Sequence, residues 1–505
     1  MSARGETHPS TQASTPEGNT KAVGKQAIRG ESHCTDLANG QRFARQHAGR
    51  AKFVPAWRAW MTWDGQRWAL DDVKAVSEMA KTTARRIYAE AAKCESEKAA
   101  EGLAKWAVRS ADDNGMRHML SVASSDPRIV ARPNAFDQDA YRLNTPGGEV
   151  DLRTGAIEPN NPAHLCSKMT TVAMTPGAPA PRWSAFLQEI FGGDAELIGY
   201  VQRLLGYSLL GTVREHVFIL AWGGGANGKS VLLDTISRVL GSYAGVVDPS
   251  LLLVKRNDAH PVGIADLQGL RFVAAQETAQ GRALDEAMVK NLASGGTRKA
   301  RWMHGNFFEY DASDTIWLAT NHLPVIRNTD MGIWRRIRLI PFRVTISPDR
   351  QDPELTNTLA TGEGPAILAW LVDGCLAYLR EGLGEAQAVA AATATYRAES
   401  DILGQFMAEC CVVDANATVP AREVFEEYAA WGARGHLRVL NQNAFAREME
   451  ERGIEKTRTK HGVSYRGLGL RVAYGSPLAE AGESGADPMG ELPDATQRRH
   501  LSVAA

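Results

Sequence analysis

The fold of this chain is decided by residues 217–230, which read VFILAWGGGANGKS. Residues 217–222 are apolar, as in a buried strand, and they run directly into the pattern G-x-x-x-x-G-K-S. The apolar run that begins at Val231 then opens a helix. A strand before this pattern and a helix after it are the context that a phosphate-binding loop requires. The stretch therefore predicts an α/β core that binds a nucleoside triphosphate.

Each residue type in the loop suits a bound phosphate. Glycines allow backbone N–H groups to close around phosphate oxygens, and the first turn of a helix adds positive potential. Lys229 can reach the β- and γ-phosphates, and the Ser230 hydroxyl can bind Mg²⁺. We therefore predict ATP and Mg²⁺ as cofactors, bound by the whole loop: Gly223, Gly224, Gly225, Ala226, Asn227, Gly228, Lys229 and Ser230.

Two more apolar stretches end in a polar side chain. Residues 270–277 end at Glu277, and residues 314–321 end at Asn321. Glu277 is predicted to polarise the attacking water and to help hold the Mg²⁺ shell, whereas Asn321 would orient the water or contact the γ-phosphate. The alternatives are a solvent-facing Glu after an edge strand and an ordinary turn Asn. Alternation of strands and helices up to about Phe342 predicts a mostly parallel sheet with helices on its faces.

Two arginines precede the last apolar run of this region. Arg335 and Arg336 follow Trp334 and are flanked by apolar residues, unlike a simple solvated charge cluster. An arginine from a neighbouring subunit can stabilise the charge on a phosphoryl group in transfer. We therefore predict that these arginines are catalytic; the alternative is a pair of structural salt bridges.

The rest of the chain divides into further segments. The formal net charge is −1, so any DNA-binding surface must be local. The tryptophans around the Asp64-Gly65 turn signal favour apolar packing of a small α+β domain over stacking on DNA bases. Together the patterns predict these segments: disordered 1–30, an α+β N-terminal domain at 31–180, an ATPase domain at 181–350, a helical extension at 351–400, a winged-helix DNA-binding domain at 401–475, and a disordered acidic tail at 476–505.

The basic hairpin near the C-terminus is the candidate wing of that winged-helix domain. Lys456, Arg458 and Lys460 alternate along one predicted strand, as side chains that contact phosphates on one face would. The alternative is a plain solvated hairpin.

Cysteine usage and hydropathy bear on the compartment. The six cysteines form no C-x-x-C pair, which favours reduced thiols in a cytosolic protein. No signal-like N-terminal segment and no apolar run long enough for a membrane span is present. We therefore expect a cytoplasmic protein without a membrane partner.

Together the motifs resemble the superfamily 3 helicases, specifically the phage and plasmid primase-helicase family, over roughly residues 31–475. Their order and spacing both agree with that family. The residues that carry the resemblance are Thr35-Asp36-Leu37-Ala38-Asn39, Leu143-Asn144-Thr145-Pro146-Gly147-Gly148, the loop 223–230, Glu277-Thr278, Lys290 with Gly295-Gly296, Ala319-Thr320-Asn321-His322-Leu323-Pro324 and Trp334-Arg335-Arg336-Ile337.

The resemblance implies an AAA+-type ATPase core, flanked by a poxvirus- or phage-primase-like N-terminal region and assembled as a hexamer around DNA. It implies that Asn321 is the sensor and that Arg335 or Arg336 is the finger acting on a neighbouring subunit. It also implies a hairpin between Glu277 and Asn321 that grips single-stranded DNA. The DNA-binding residues expected in this region are Lys290, Lys299, Arg301 and His304.

Two positions depart from the family pattern. Thr297 follows the paired glycines where many relatives have an acid, and Gln276 precedes Glu277, so that Glu277 must serve without a second adjacent acid. Relatives often carry a polymerase-like primase domain before the shared region, whereas only about thirty residues precede it here. The acids of Asp137-Gln138-Asp139 lie where the family has a linker. We therefore expect no primase activity from this chain.

These inferences predict an ATP-dependent helicase with 3′-to-5′ polarity, the polarity coming from the resemblance alone. It would act on single-stranded and forked DNA in replication of the phage or plasmid type, with a separate primase and other replication proteins as partners. One alternative is a replication initiator or primase-associated scaffold in which ATP drives assembly on DNA. Another is an unrelated phosphate-loop enzyme acting on a small molecule.

Overall fold

The computed structural model describes residues 33–254, 262–277, 281–302, 306–326, 331–437, 439–459 and 462–471. The segments predicted to be disordered, 1–30 and 476–505, lie outside these ranges. The helices are α1 (Asp36–His47), α2 (Ala75–Ala91), α3 (Glu97–Ser110), α4 (Asp113–Ala123), α5 (Pro181–Ile190), α6 (Ala195–Tyr207), α7 (Lys229–Leu240), α8 (Val262–Ala265), α9 (Glu286–Leu292), α10 (Met331–Trp334), α11 (Leu355–Thr358), α12 (Gly364–Glu381), α13 (Gln387–Ser400), α14 (Ile402–Cys410), α15 (Ala421–Arg434) and α16 (Gln442–Glu451).

The strands form five sheets, each of two, three or five strands. They are β1 (Ala51–Val54), β2 (Ala59–Trp63), β3 (Trp68–Leu70), β4 (Arg142–Thr145), β5 (Gly148–Asp151), β6 (Ile157–Glu158), β7 (Phe218–Trp222), β8 (Ala244–Val246), β9 (Phe272–Glu277), β10 (Thr297–Arg301), β11 (Phe307–Asp311), β12 (Thr315–Thr320), β13 (Ile337–Pro341), β14 (Cys411–Pro420), β15 (Glu455–Thr459) and β16 (Gly462–Leu470).

The chain divides into two compact units. The first contains the residues up to Pro324 together with Arg335–Ala390, and the second contains Val325–Trp334 together with the residues from Ala391 onward. The chain therefore leaves the first unit after β12 and returns to it just before β13. Across the described residues, no helix combines the length and the apolar character that a membrane span needs.

A five-stranded sheet forms the centre of the first unit. Its strand order is β13-β7-β12-β9-β8, and all four neighbouring pairs are parallel. All six residues of β12 are buried, as expected for a parallel strand that is covered on both faces. The prediction of an α/β fold built on a mostly parallel sheet is confirmed. The edge-strand alternative for Glu277 is wrong, because β9 lies between β12 and β8.

The tryptophan-rich part of the first unit packs as a small α+β arrangement. β1, β2 and β3 form an antiparallel sheet, and the turn between β2 and β3 contains the predicted Asp64-Gly65 pair. Trp68 is only 1% exposed, and the Trp60 ring contacts Phe43 at 5.8 Å between centroids. These two side chains therefore serve apolar packing. The sequence predicts two helical stretches in this region, at roughly 73–94 and 96–109, which correspond to α2 and α3; it did not predict α1 and α4.

Arg271 ties this N-terminal part to the central sheet. Its guanidinium donates to the carbonyls of Leu209 at 2.7 Å and Arg142 at 2.8 Å, and it lies 4.6 Å from the ring centroid of Tyr243. Arg271 directly precedes β9 and is 4% exposed. Because a buried cation needs hydrogen-bond acceptors, these contacts hold β4 in a defined place beside the sheet.

The second unit has the predicted winged-helix order of elements. α14 is followed by β14, then by α15 and α16, and the chain ends in the antiparallel pair β15–β16. β14 pairs with β16, so the three strands form one sheet. β14 was missed in the sequence because five of its residues from Val412 to Asn416 are polar or exposed, without a clear buried face.

The hairpin β10–β11 precedes β12 in the first unit and is anchored at its base by a buried ion pair. Arg298 donates to the carboxylate of Asp314, and the exposed side-chain fractions are 4% and 0%. Arg298 also donates to the carbonyl oxygen of Leu292 at 2.6 Å, at the end of α9. Burial raises the pKa of the Asp314 carboxyl, and the Arg298 charge opposes that shift. Asp314 directly precedes β12, so the pair joins the hairpin to a central strand.

We predict that Asp314→Ala destabilises the first unit strongly. The change leaves the Arg298 charge buried without its partner, which typically costs about 3–5 kcal/mol of unfolding free energy. Urea denaturation followed by tryptophan fluorescence measures the loss. As a control, Glu101→Gln removes the exposed pair with Lys105 and is expected to leave the midpoint unchanged. Equal midpoints for the two variants would contradict the anchoring role of Asp314.

Candidate nucleotide site and nucleic-acid interface

The parallel register brings three predicted groups to one edge of the central sheet. Thr320 is level with Trp222 on one side and with Glu277 on the other. The phosphate loop follows Trp222 directly, and Asn321 follows Thr320. Because all three strands run in the same direction, their carboxyl ends meet at a single edge. We refer to it as the carboxyl edge.

The loop backbone adopts the conformation that its glycines permit. Gly225 and Gly228 have φ values of +102° and +81°, and Ala226 also lies in the left-handed region at +46°. A Cβ atom at Gly228 would come within 2.4 Å of the Ile190 side chain. A Cβ atom at Gly223 would come within 2.3 Å of the Phe342 carbonyl. Larger residues at these two positions would push the loop away from the walls that support it.

α7 begins at Lys229, directly after Gly228, which has no side chain with which to cap the helix. The first N–H groups of a helix have no partner within the helix, and they attract anions. The Ser230 side chain is exposed in this first turn. The uncapped helix start and the exposed hydroxyl fit a bound nucleotide with Mg²⁺, and Glu277, at the end of β9, is at the same edge.

Lys229 connects the loop to the candidate sensor. Its side chain is 5% exposed, and the Nζ group donates to Gly223 O at 2.7 Å, Asn227 Oδ1 at 2.9 Å and Asn321 Oδ1 at 3.0 Å. Burial lowers the pKa of Lys229 to about 8. The structure thus brings together two residues predicted from separate motifs. Among the described residues, the partners of this ammonium group are neutral oxygens, so it can donate to phosphate oxygens in their place.

The candidate finger residues lie at the opposite edge of the same sheet. Arg335 and Arg336 precede β13, which runs parallel to β7 with Ile337 level with Phe218 and Pro341 level with Trp222. The four residue steps from Ile337 to Pro341, at about 3.3 Å each, put the start of β13 roughly 13 Å from the carboxyl edge. Arg335 is exposed, whereas Arg336 is half-buried and its Nη2 donates to Ser294 Oγ at 3.2 Å.

The predicted DNA-binding residues are distributed unevenly over the hairpin region. Lys299 is exposed and Arg301 half-buried on β10, on the face opposite the buried Arg298. Lys290 is in the last turn of α9 and not on the hairpin strands. His304 lies outside the described residues.

The wing residues of the second unit are also in different environments. Lys456 forms an ion pair with Glu450 on α16. Arg458 is exposed on β15, and Lys460 lies outside the described residues. Of the two described wing cations, Arg458 is therefore the one whose side chain faces solvent.

Sequence reasoning missed the residues that support these groups. Asn227 was counted as a loop residue, but its buried side chain also accepts from Lys229 and donates to Phe342 O at 3.4 Å. Ser294 and Asp314 were not singled out, although they contact Arg336 and Arg298. No local pattern marks such residues, because their partners are distant in sequence. For Asp314, its position as an acid just before a largely apolar strand was an available signal.

Comparisons with known proteins agree with this geometry. Residues 40–192 match the family described as D5 N terminal like. The chain is 27% identical over 235 residues to a protein of Acanthamoeba polyphaga mimivirus named "Putative helicase", covering 45% of this chain and 24% of that protein. It is 25% identical over 354 residues to a protein of African swine fever virus named "Putative primase", covering 64% of this chain and 36% of that protein.

A solved structure is also similar to this chain. The apo structure of the NrS-1 C terminal region has a TM-score of 0.45 and 11% sequence identity, with coverage of 86% of this chain and 99% of that chain. The chain spans between about a quarter and somewhat over a third of the length of the two viral relatives. The predicted resemblance to primase-helicases is confirmed: residues 40–192 match the family described as D5 N terminal like, and the similar proteins of large DNA viruses are named as putative helicases and primases.

Proposed function

We propose that this chain is an ATP-driven DNA helicase of the superfamily 3 type, active as a ring of six subunits in DNA replication. One observation carries the proposal. The phosphate loop, Glu277 and Asn321 are at the carboxyl edge of one parallel sheet, while Arg335 and the base of the hairpin are at the other edge. The start of β13 is roughly 13 Å from the carboxyl edge and Arg335 precedes that start, so Arg335 is too far away to reach ATP bound to its own subunit. In a ring, that arginine can reach the ATP of the next subunit.

The residues at the carboxyl edge have distinct roles in this proposal. The loop N–H groups and Lys229 bind the β- and γ-phosphates, and Lys229 thereby releases Asn321 to orient the attacking water. Glu277 accepts a proton from that water. Ser230, and Glu277 through water, would hold Mg²⁺, which would supply positive charge beside the phosphates. Arg335 from the neighbouring subunit stabilises the charge that develops on the transferring phosphoryl group.

Several parts of the proposal rest on the resemblance and on the names of the relatives. These are the 3′-to-5′ polarity, the number of six subunits and the separate primase partner. The proposed cytoplasmic location rests instead on the pattern of the six cysteines. Displacement of a labelled strand from a forked duplex, driven by ATP, tests the central claim. A replication initiator or loading scaffold would bind the fork and hydrolyse ATP without displacing the strand. A small-molecule enzyme would show no stimulation of ATP turnover by DNA.

We predict that Lys229→Ala abolishes ATP turnover and strand displacement while the fold is retained. The change removes the only cation of the loop, and its neighbours are neutral oxygens that do not need a charged partner to stay buried. Turnover is measured with the purified variant, and circular dichroism checks its fold. Lys105→Ala, at an exposed position on α3, is the control and is expected to retain full activity. Normal turnover in Lys229→Ala would disprove the assignment of the loop.

A second prediction concerns the pH dependence of ATP binding. Lys229 has a pKa of about 8 in the free protein, below its usual value, and contact with phosphates favours its charged form and raises that pKa. At pH 7 Lys229 is already charged, so ATP binding should take up almost no proton through it. Above pH 8 the uptake should approach one proton per ATP bound. The affinity for ATP should therefore fall as the pH rises through 8. Calorimetry in buffers of different ionisation enthalpy measures the uptake. The Lys229→Arg variant stays charged at these pH values, so it should show no proton uptake on ATP binding above pH 8. Equal proton uptake by the wild-type protein at pH 7 and pH 9 would contradict the role of Lys229.

A third prediction tests whether the site is shared between subunits. Arg335→Ala should lower turnover about a thousandfold or more while ATP still binds, since the loop is untouched. Mixing this variant with Lys229→Ala should restore part of the activity, because some interfaces then pair an intact loop with an intact arginine. DNA-stimulated turnover is measured across mixing ratios. Arg336 is bonded to Ser294 of its own subunit, so Arg336→Ala is expected not to complement in this way. No rescue in mixed oligomers containing Arg335→Ala would show that the arginine acts within its own chain.

A further inference from the structure

The solvent face of the hairpin β10–β11 carries an exposed aromatic ring between two cations. The register sets Arg301 opposite Phe307 and Lys299 opposite Glu309. Side chains alternate between the two faces of a strand, so these residues share the outer face, away from the buried Arg298 and Ala300. The Phe307 side chain is 54% exposed.

The two cations are close to this ring. Lys299 Nζ and Arg301 Cζ each lie 5.2 Å from the centroid of the Phe307 ring, within the distance at which a cation is attracted to an aromatic face. The other aromatic residues of the hairpin are on the inner face or turned toward it. Phe308 stacks on Trp302 with 5.8 Å between centroids and 17° between ring planes, and Tyr310 is buried. Phe307 is therefore held beside cations without being part of the hairpin's apolar packing.

Charge varies along this outer face. At the base of the hairpin it carries Asp311, which accepts from Thr297 at 2.8 Å, and in the next outer pair Glu309 lies opposite Lys299. The outer pair nearest the tip, Arg301 and Phe307, contains no acid. An anion that also presents a flat ring would be attracted to the end of this face near the tip, and repelled from Asp311 at the base. Nucleotides of a single strand have this combination, since each joins a phosphate to a base with an open aromatic face.

We propose that Phe307 is a stacking platform for one base of single-stranded DNA, while Lys299 and Arg301 contact the flanking phosphates. This inference rests on the proposed function and deepens it, because it names base stacking as a part of recognition that cations alone do not supply. Stacking does not read base identity, so the contact tolerates any sequence, as a translocating enzyme needs. In a duplex the bases are already stacked on each other, so Phe307 selects against double-stranded DNA.

The test compares oligodeoxythymidylate with an oligonucleotide of the same length whose bases are replaced by abasic sites. Binding of each to the full chain is measured by fluorescence anisotropy at fixed salt. Phe307→Ala is expected to weaken binding of oligodeoxythymidylate about 5- to 150-fold and to leave binding of the abasic strand unchanged. Phe307→Trp should restore the difference between the two probes, whereas Phe307→Leu, which is apolar but not aromatic, should not.

Two further variants make the result specific. Arg301→Ala removes a phosphate contact and should weaken both probes, and Tyr88→Ala alters an equally exposed aromatic residue on α2 and should weaken neither. If Phe307→Ala weakens both probes equally, Phe307 only positions its neighbours and the proposal is overturned. Unchanged binding in Phe307→Ala overturns it as well. Stacking is absent if the wild-type chain binds single strand and duplex equally well and also binds oligodeoxythymidylate and the abasic strand equally well. If DNA in addition fails to stimulate ATP turnover, the proposed helicase function is wrong as well.

Discussion

Parallel pairing of β7, β12 and β9 is the constraint on which the rest of the site depends. It aligns the ends of three strands that are far apart in sequence, so that a loop, an acid and an amide meet at one edge. The same pairing sends the start of β13 and the base of the hairpin to the other edge. The sheet therefore separates the place where a phosphate can bind from the places where Arg335, Lys299 and Phe307 reach solvent. A slip of one register step in β12 would move Asn321 away from Lys229 and remove the contact between them.

The hydrogen bond between Lys229 and Asn321 shows how the free protein manages a buried cation. Desolvation lowers the pKa of the ammonium group, and three neutral oxygens partly replace the water that it has lost. None of these acceptors carries a charge, so the interaction that holds Lys229 is weaker than the one that a phosphate offers. In the arrangement proposed here, the arrival of the nucleotide changes the partner of Lys229 and the freedom of Asn321 in a single event.

Local patterns predicted the parts of the fold whose causes are local. A continuous apolar run before Gly223 sufficed for β7, and the spacing of glycines with Lys229 sufficed for the loop, because a phosphate-binding turn is specified within a few residues. The apolar runs ending at Glu277 and Asn321 likewise predicted β9 and β12. Contacts between residues distant in sequence could not be predicted. No residue near Asp314 indicates Arg298 as its partner, and no residue near Arg336 indicates Ser294. The difference between Arg335 and Arg336 also required the structure, because both have similar neighbours in the sequence.

The path of the chain between β12 and β13 has a consequence for synthesis. Residues Val325–Trp334 belong to the second unit, where Trp334 is 5% exposed and its ring meets that of Tyr396 at 5.2 Å between centroids. On the ribosome, β13 emerges after this segment but well before Tyr396. The indole of Trp334 is therefore synthesised before the Tyr396 ring that packs against it, while β13 is already available to join its sheet. A nascent chain paused in that interval would present an apolar surface to chaperones, at a point where domains usually fold in order from the N-terminus.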